Sequence, residues 1–152
     1  EANLTRAVQL LNKTNQMNLS TRRMTETELL DWTKGERRRL WTFRVSDKFG
    51  DYGLTGIASM EQDGQVGKVI DFILSCRVMG RKVEEVMLSV MTTYARSLRL
   101  SRMEAKFLPT PKNKPFHDFL KRSVFSTDKA KEIFRWDLDD EYPKPDFIKI
   151  IE

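Results

Sequence analysis

Apolar residues along this chain switch repeatedly between helical and alternating spacing, and each switch marks an element. Leu4, Val8 and Leu11 recur at helical intervals and predict a leading helix over 4–13. Residues 18–24, NLSTRRM, are short and strand-compatible. Thr25 stands three positions before Glu28, a capping-box pair that opens a helix ended by Gly35. Trp41, Phe43 and Val45 alternate and predict a half-buried strand over 39–45. LTGIASM (54–60) is the next strand, and a hairpin at Asp63-Gly64 returns the chain. KVIDFILSC (68–76) is nearly continuous in apolar residues, the pattern of a central strand.

The strongest periodicity follows. Val83, Val86, Met87, Val90, Met91, Tyr94, Ala95 and Leu98 fall at helical spacing over four turns, so the methionines there are core packing. MEAKFLP (103–109) reads as a strand, and KPFHDFLKRSVF as a short helix with Phe116, Phe119 and Leu120 inward. EIFRWDL (132–138) and FIKII (147–151) close the chain as strands. This order predicts an α/β (α+β) architecture, a mixed sheet of six or seven strands flanked by helices. The long helix then crosses over between two parallel neighbours, which splay apart at their C-terminal ends. The 152 residues make one domain, 1–152, with 1–17 as its leading helix.

Composition narrows the function classes. One cysteine cannot form an internal disulfide, which points to a reducing, cytoplasmic setting. No stretch reaches the about 18 apolar residues of a membrane span, and no signal-peptide pattern opens the chain. The first residue is Glu1 rather than methionine, which gives the expectation of a fragment of a longer protein. The net charge of +5 is uneven: residues 77–122 hold eleven basic and four acidic groups. A phosphate-bearing ligand or an acidic partner protein suits that field, and so does a plain solvated face. Nucleic-acid binding would rest on the pI of about 9.4 alone, without a base-stacking platform.

Candidate chemistry gathers in LSCRVMGRKVEEVM (74–87). Cys76 ends the central strand beside Arg77 and near a helix start, cationic surroundings of the kind reactive cysteines occupy. It is also readable as a small buried hydrophobe, the commonest fate of a lone cysteine. Asp71 and Ser75 share the opposite strand face, where Asp71 is a hydrogen-bond hub or a base that reaches the cleft. His117, the only histidine, lies one position off an apolar helix face, and is a surface residue or a partner for Cys76. Arg22 and Arg23 are a solvated pair or a contact for a substrate phosphate or carboxylate. No pattern of metal ligands is present, and no metal is expected.

The order of elements, with RVMGRK between strand and helix, resembles the GNAT acyltransferase fold over roughly residues 18–151. In that family a strand enters an Arg/Gln-x-x-Gly-x-Gly/Ala loop whose N–H groups hold the diphosphate of acyl-coenzyme A at a helix start. The resemblance implies cofactor contacts at Arg77, Val78, Met79, Gly80, Arg81 and Lys82, with Lys82 replacing the usual small residue. Asn113, Phe119, Leu120, Val124 and Phe125 keep the spacing of a downstream family motif, and Asn113 joins the implied cofactor contacts. Leu120 stands where many acetyltransferases have a general-acid tyrosine, and Val124 replaces a glycine.

Four blocks, LLNKTNQMNLSTRR, VSDKFGDYGLTG, IDFILSCRVMGR and PTPKNKP, together resemble the C-terminal region of FkbH-like proteins of polyketide pathways. Members of that family carry an N-terminal HAD-type phosphatase-like domain. They dephosphorylate a glyceryl donor, 1,3-bisphosphoglycerate, and load glyceryl onto an acyl carrier protein through a cysteine thioester. The resemblance implies acyl transfer with Cys76 as nucleophile and His117 and Asp71 as candidate helpers. Arg22, Arg23 and Ser75 become candidate substrate contacts. Coenzyme A or a carrier-protein phosphopantetheine becomes the cofactor, and an acyl carrier protein the partner. A catalytically silent docking module for the carrier is the competing expectation.

Overall fold

The computed structural model describes residues 2–128, 130 and 132–151; Glu1 lies outside them. Four helices and six strands follow in the order α1 (Ala2–Lys13), α2 (Glu26–Thr33), β1 (Arg38–Asp47), β2 (Gly50–Asp63), β3 (Val66–Leu74), α3 (Val83–Ser97), β4 (Arg102–Lys106), α4 (Lys114–Arg122), β5 (Ser126–Thr127) and β6 (Ile133–Asp137). They form one six-stranded sheet in the order β1-β2-β3-β4-β6-β5. Only β3 and β4 are parallel; the other pairs are antiparallel. The mixed sheet flanked by helices expected from the sequence is therefore the observed one.

Local signals explain these elements. Thr25 and Glu28 form the reciprocal capping box, with the Thr25 side chain accepting from the Glu28 N–H at 3.2 Å. The hairpin between β2 and β3 turns at Gly64, whose φ of +58° suits glycine. Alternation in β3 sends successive side chains to two cores. Phe72 and Leu74 join a large cluster with Met87 and Met91 of α3 and Phe116 and Phe119 of α4. Ile73 joins a smaller cluster with Leu10 and Leu11 of α1 and Leu29 of α2. Each such large side chain contributes about 1.5–3 kcal/mol when fully removed from water.

Two expected strands are corrected. Residues 147–151 form no strand among the described residues: Phe147 lies in a turn, the Ile148 N–H donates to the Pro145 carbonyl at 3.5 Å, and Phe147 and Ile151 are exposed. Residues 18–24 contribute only one isolated bridge, Asn18 to Ile73. The reason lies in the parallel pair. β3 and β4 are in register only from Val66–Val69 against Arg102–Ala105 and then diverge. Met17–Leu19 fill the resulting gap. The Leu74 N–H donates to the Met17 carbonyl at 3.0 Å, the Leu19 N–H to the Phe72 carbonyl at 3.1 Å, and the Leu108 N–H to the Leu19 carbonyl at 3.2 Å. Backbone groups that the divergence would orphan are thus satisfied from within the chain.

Asn113 locks this strap. It is fully buried, donates to the Asn18 and Leu108 carbonyls at 3.1 and 2.8 Å, and accepts the Thr110 N–H at 2.7 Å. Asn113→Ala should destabilise the fold by about 1–3 kcal/mol, because buried carbonyls lose a donor and Thr110 loses its acceptor. Hydrogen exchange should quicken at the Leu19 and Leu108 amides before the rest of the sheet. Unchanged protection there would mean that the strap is held by apolar packing alone.

Candidate functional site

Cys76 leaves the end of β3 at the point where β3 and β4 have parted. It is exposed, and it lines a cleft of about 520 Å³. Leu74, Cys76 and Met79 come from the strand end and the loop after it. Lys13, Thr14, Asn15, Gln16 and Met17 come from the connection between α1 and the strap, and Pro111 and Lys112 from the approach to α4. Crevices at the C-terminal ends of diverging parallel strands are recurrent ligand sites in open α/β sheets. Lys13 and Lys112 give this cleft its positive charge.

The loop from Cys76 to Lys82 is a series of turns ending in α3. Gly80 has φ of +78° and Lys82, the N-cap, has φ of +67°. Part of the loop is committed internally. The Val78 N–H donates to the Ser75 carbonyl at 3.1 Å and the Val78 side chain is in the core. The Arg77 N–H reaches the Ser75 hydroxyl at 3.4 Å. Arg81 is tied to the β1–β2 hairpin through Asp47 at 3.0 Å and the Tyr52 hydroxyl at 2.9 Å. Of the loop residues named from the sequence, Val78 thus has its N–H already engaged within the loop.

The other sequence-named residues are placed as follows. Asp71, 1% exposed, receives Arg22 in a two-point ion pair, 3.1 Å from Nε and 2.5 Å from Nη2. It also accepts from the Ser59 hydroxyl, which in turn accepts the Asp71 N–H at 3.0 Å. Arg22 additionally lies over the Trp32 ring. Arg23 donates to the Leu11 carbonyl and to Asn15, both at 2.7 Å, and so closes the end of α1. Ser75 is buried beneath the loop. Asn113 binds the strap. His117 does not line the Cys76 cleft; its ring packs against Phe107 and Phe134 at 4.8 and 5.7 Å between centroids. Of the residues named from the sequence, Cys76 and Met79 are brought together in this cleft.

A second cleft of about 350 Å³ opens on the other side of the α3 start. Lys82, Glu85, Arg122, Ser123, Val124, Pro143, Lys144, Pro145 and Phe147 line it. Glu85 accepts from the Tyr142 hydroxyl at 2.5 Å, and burial together with this bond pushes the phenol well above its ordinary pKa. Glu84, next to it, is buried, and burial pushes its carboxyl up while the N–H groups of Glu84 and Gly80 hold it down. Sequence reasoning did not find the role of 13–17. Its only trace is Met17 and Leu19 flanking Asn18 with period two. Among the described residues no cluster has the ligands for a metal ion, and no helix is long and apolar enough to cross a membrane.

No protein-family model matches the sequence, and the search of curated proteins finds no match. Solved structures do match. The PaiA N-acetyltransferase from Thermoplasma acidophilum, in complex with coenzyme A, aligns with TM-score 0.57 at 12% identity, covering 74% of this chain and 71% of that one. The ribosomal-protein-S18-alanine N-acetyltransferase from Escherichia coli aligns with TM-score 0.56 at 8% identity, covering 98% and 94%. A GNAT-family acetyltransferase from Staphylococcus aureus Mu50 aligns with TM-score 0.58 at 8% identity, covering 74% and 75%. The fold is that of GNAT acetyltransferases.

Proposed function

We propose that the chain is the acyltransferase-like domain of an FkbH-type protein, and that it passes an acyl group through Cys76 to the phosphopantetheine thiol of an acyl carrier protein. The observation that carries this reading is the position of the one thiol: exposed, at the end of β3, on a cleft of about 520 Å³. The acetyltransferase fold and the four FkbH-like sequence blocks support it. An acyl group related to glyceryl, and an upstream HAD-type domain that prepares its donor, follow from the same blocks.

The chemistry is two displacements. The Cys76 thiolate attacks the acyl carbonyl of the activated donor, the new C–S bond forms, and the donor's leaving group departs with its electron pair. The carrier thiolate then attacks the thioester carbonyl and Cys76 leaves as thiolate. Exchange between two thioesters is nearly isoenergetic, so the covalent stop is not a trap. Lys13 and Lys112 attract the carrier's phosphate to the cleft mouth. The ion pair with Arg22 keeps Asp71 from serving as a base, and proton removal falls to solvent.

A docking module without chemistry is the second reading. It is favoured by the strap, which closes the gap between β3 and β4 that an extended ligand would otherwise enter. The two separate on one experiment. Cys76 is the chain's only thiol, so iodoacetamide modifies it without competitors. With the upstream domain, donor and carrier protein supplied, complete alkylation should stop transfer while carrier binding persists. Transfer that survives alkylation would leave docking as the function.

A further inference from the structure

We infer that residues 17–19 are a fixed occupant of the gap between β3 and β4, so that a pantetheine arm reaches Cys76 through the cleft where this strap begins and not by pairing along the two strand edges. The inference deepens the thioester reading above and rests on it.

Two parallel strands that part leave facing rows of N–H and C=O groups, and an extended chain carrying amides is the ligand such edges pair with. A pantetheine arm is such a chain. Here the protein has used both edges itself. On β3 the Leu74 N–H donates to Met17 and the Phe72 carbonyl accepts from Leu19, while the Ser20 hydroxyl donates to the Ile70 carbonyl at 3.3 Å. Just past β4 the Leu108 N–H donates to Leu19, and the Leu108 carbonyl accepts from Asn113. An arm laid along either edge would have to break these bonds to find a donor or an acceptor.

The fastenings of the strap keep it there. Met17 and Leu19 are 2% and 1% exposed and belong to the same core cluster as Phe72, Leu74, Phe107 and Phe116. Asn18, equally buried, donates to the Thr14 carbonyl at 3.0 Å and accepts the Thr21 N–H at 2.8 Å. Beyond it, Arg22 closes on the buried Asp71. Segments that open readily have few buried apolar contacts and solvent-exposed hydrogen bonds, and this one has the opposite. The space left beside Cys76 is the cleft lined by residues 13–17, Met79, Pro111 and Lys112. Met17 belongs both to that lining and to the core, so the cleft stops where the strap starts. The arm therefore enters thiol first, with the body that carries it left outside. Met17 and Leu19 are specificity-determining residues: they admit a thioester at the tip of an arm and refuse one that must lie along the sheet.

The test uses pantethine, the disulfide of pantetheine, on the whole chain. The Cys76 thiolate attacks one sulfur of the pantethine S–S bond, a new disulfide to Cys76 forms, and one pantetheine departs as its thiolate. Cys76 is the only cysteine, so intact mass shows a single adduct. Amide exchange and chemical shifts are then followed by NMR in the free and tethered chains. The Leu19, Leu74 and Leu108 exchange rates should stay within about twofold, while shifts move at residues 13–16 and Lys112. Exchange at Leu19 faster by about tenfold or more would overturn the inference, because that N–H loses its partner once the strap is displaced. So would absence of the adduct, or shift changes that spare the cleft. None of these readouts needs donor, carrier or turnover. Faster Leu19 exchange with transfer still blocked by alkylation sinks only the strap assignment. Steady Leu19 exchange with transfer surviving alkylation sinks only the thioester reading.

Discussion

Asp71→Ala should lower the stability of the domain by about 3 kcal/mol in a denaturant titration, the lower end of the range for breaking a buried ion pair. The carboxylate is 1% exposed, while the Arg22 side chain is 26% exposed and can recover some solvent when its partner is lost. Ser59 cannot, because its buried hydroxyl loses its acceptor. Asp71→Asn keeps that acceptor and removes the charge, so about 1–2 kcal/mol is expected. The pair also carries a functional discrimination. An Asp71 acting as a base would lose transfer completely on replacement by asparagine. The ion-paired Asp71 seen here should leave Asp71→Asn with near wild-type transfer at a temperature where it stays folded.

Cys76→Ala should abolish transfer to the carrier protein and change stability by less than about 1 kcal/mol, because an exposed side chain outside the core is being shortened. Cys76→Ser should retain only a slow reaction through an oxygen ester, since an alcohol at neutral pH is a far weaker nucleophile than a thiolate. Loss of transfer together with a large loss of stability would instead mean that the residue supports the loop. The exposure of Cys76 makes that outcome contrary to the structure.

Most of the architecture was legible because it depends on periodicity. The alternation of Trp41, Phe43 and Val45, the apolar run of β3 and, in the long stripe, Val83, Val86, Met87, Met91 and Ala95 pack as their spacing says, whereas Val90 is half-buried and Leu98 is exposed. The parallel, diverging β3 and β4 also followed, since a long amphipathic crossover leaves few other connections. The strap was not legible. Residues 17–19 satisfy a gap made by two strands far away in sequence, and no local pattern announces such a long-range contact. The C-terminal FIKII run shows the reverse case, a strand-like composition that joins no strand pair among the described residues.

The site divided along the same line. Cys76 could be placed at a strand end from local sequence, and the cleft beside it is where the fold puts one. Arg22, Arg23, Asp71 and Asn113 carry charges or amides that read as chemistry, and the partners the fold gives them lie up to 95 positions away, beyond the reach of any local pattern. His117 lies against Phe107 and Phe134, which only the folding of α4 onto β4 and β6 brings to it.

The central claim is the covalent stop on Cys76, and intact mass of the chain tests it most directly. Incubated with the activated donor and the upstream domain but without carrier protein, the chain should gain the mass of one acyl group. Hydroxylamine should remove that mass, and Cys76→Ala should never acquire it. A chain that stays at its unmodified mass while acyl groups still reach a carrier protein added afterwards would contradict the account.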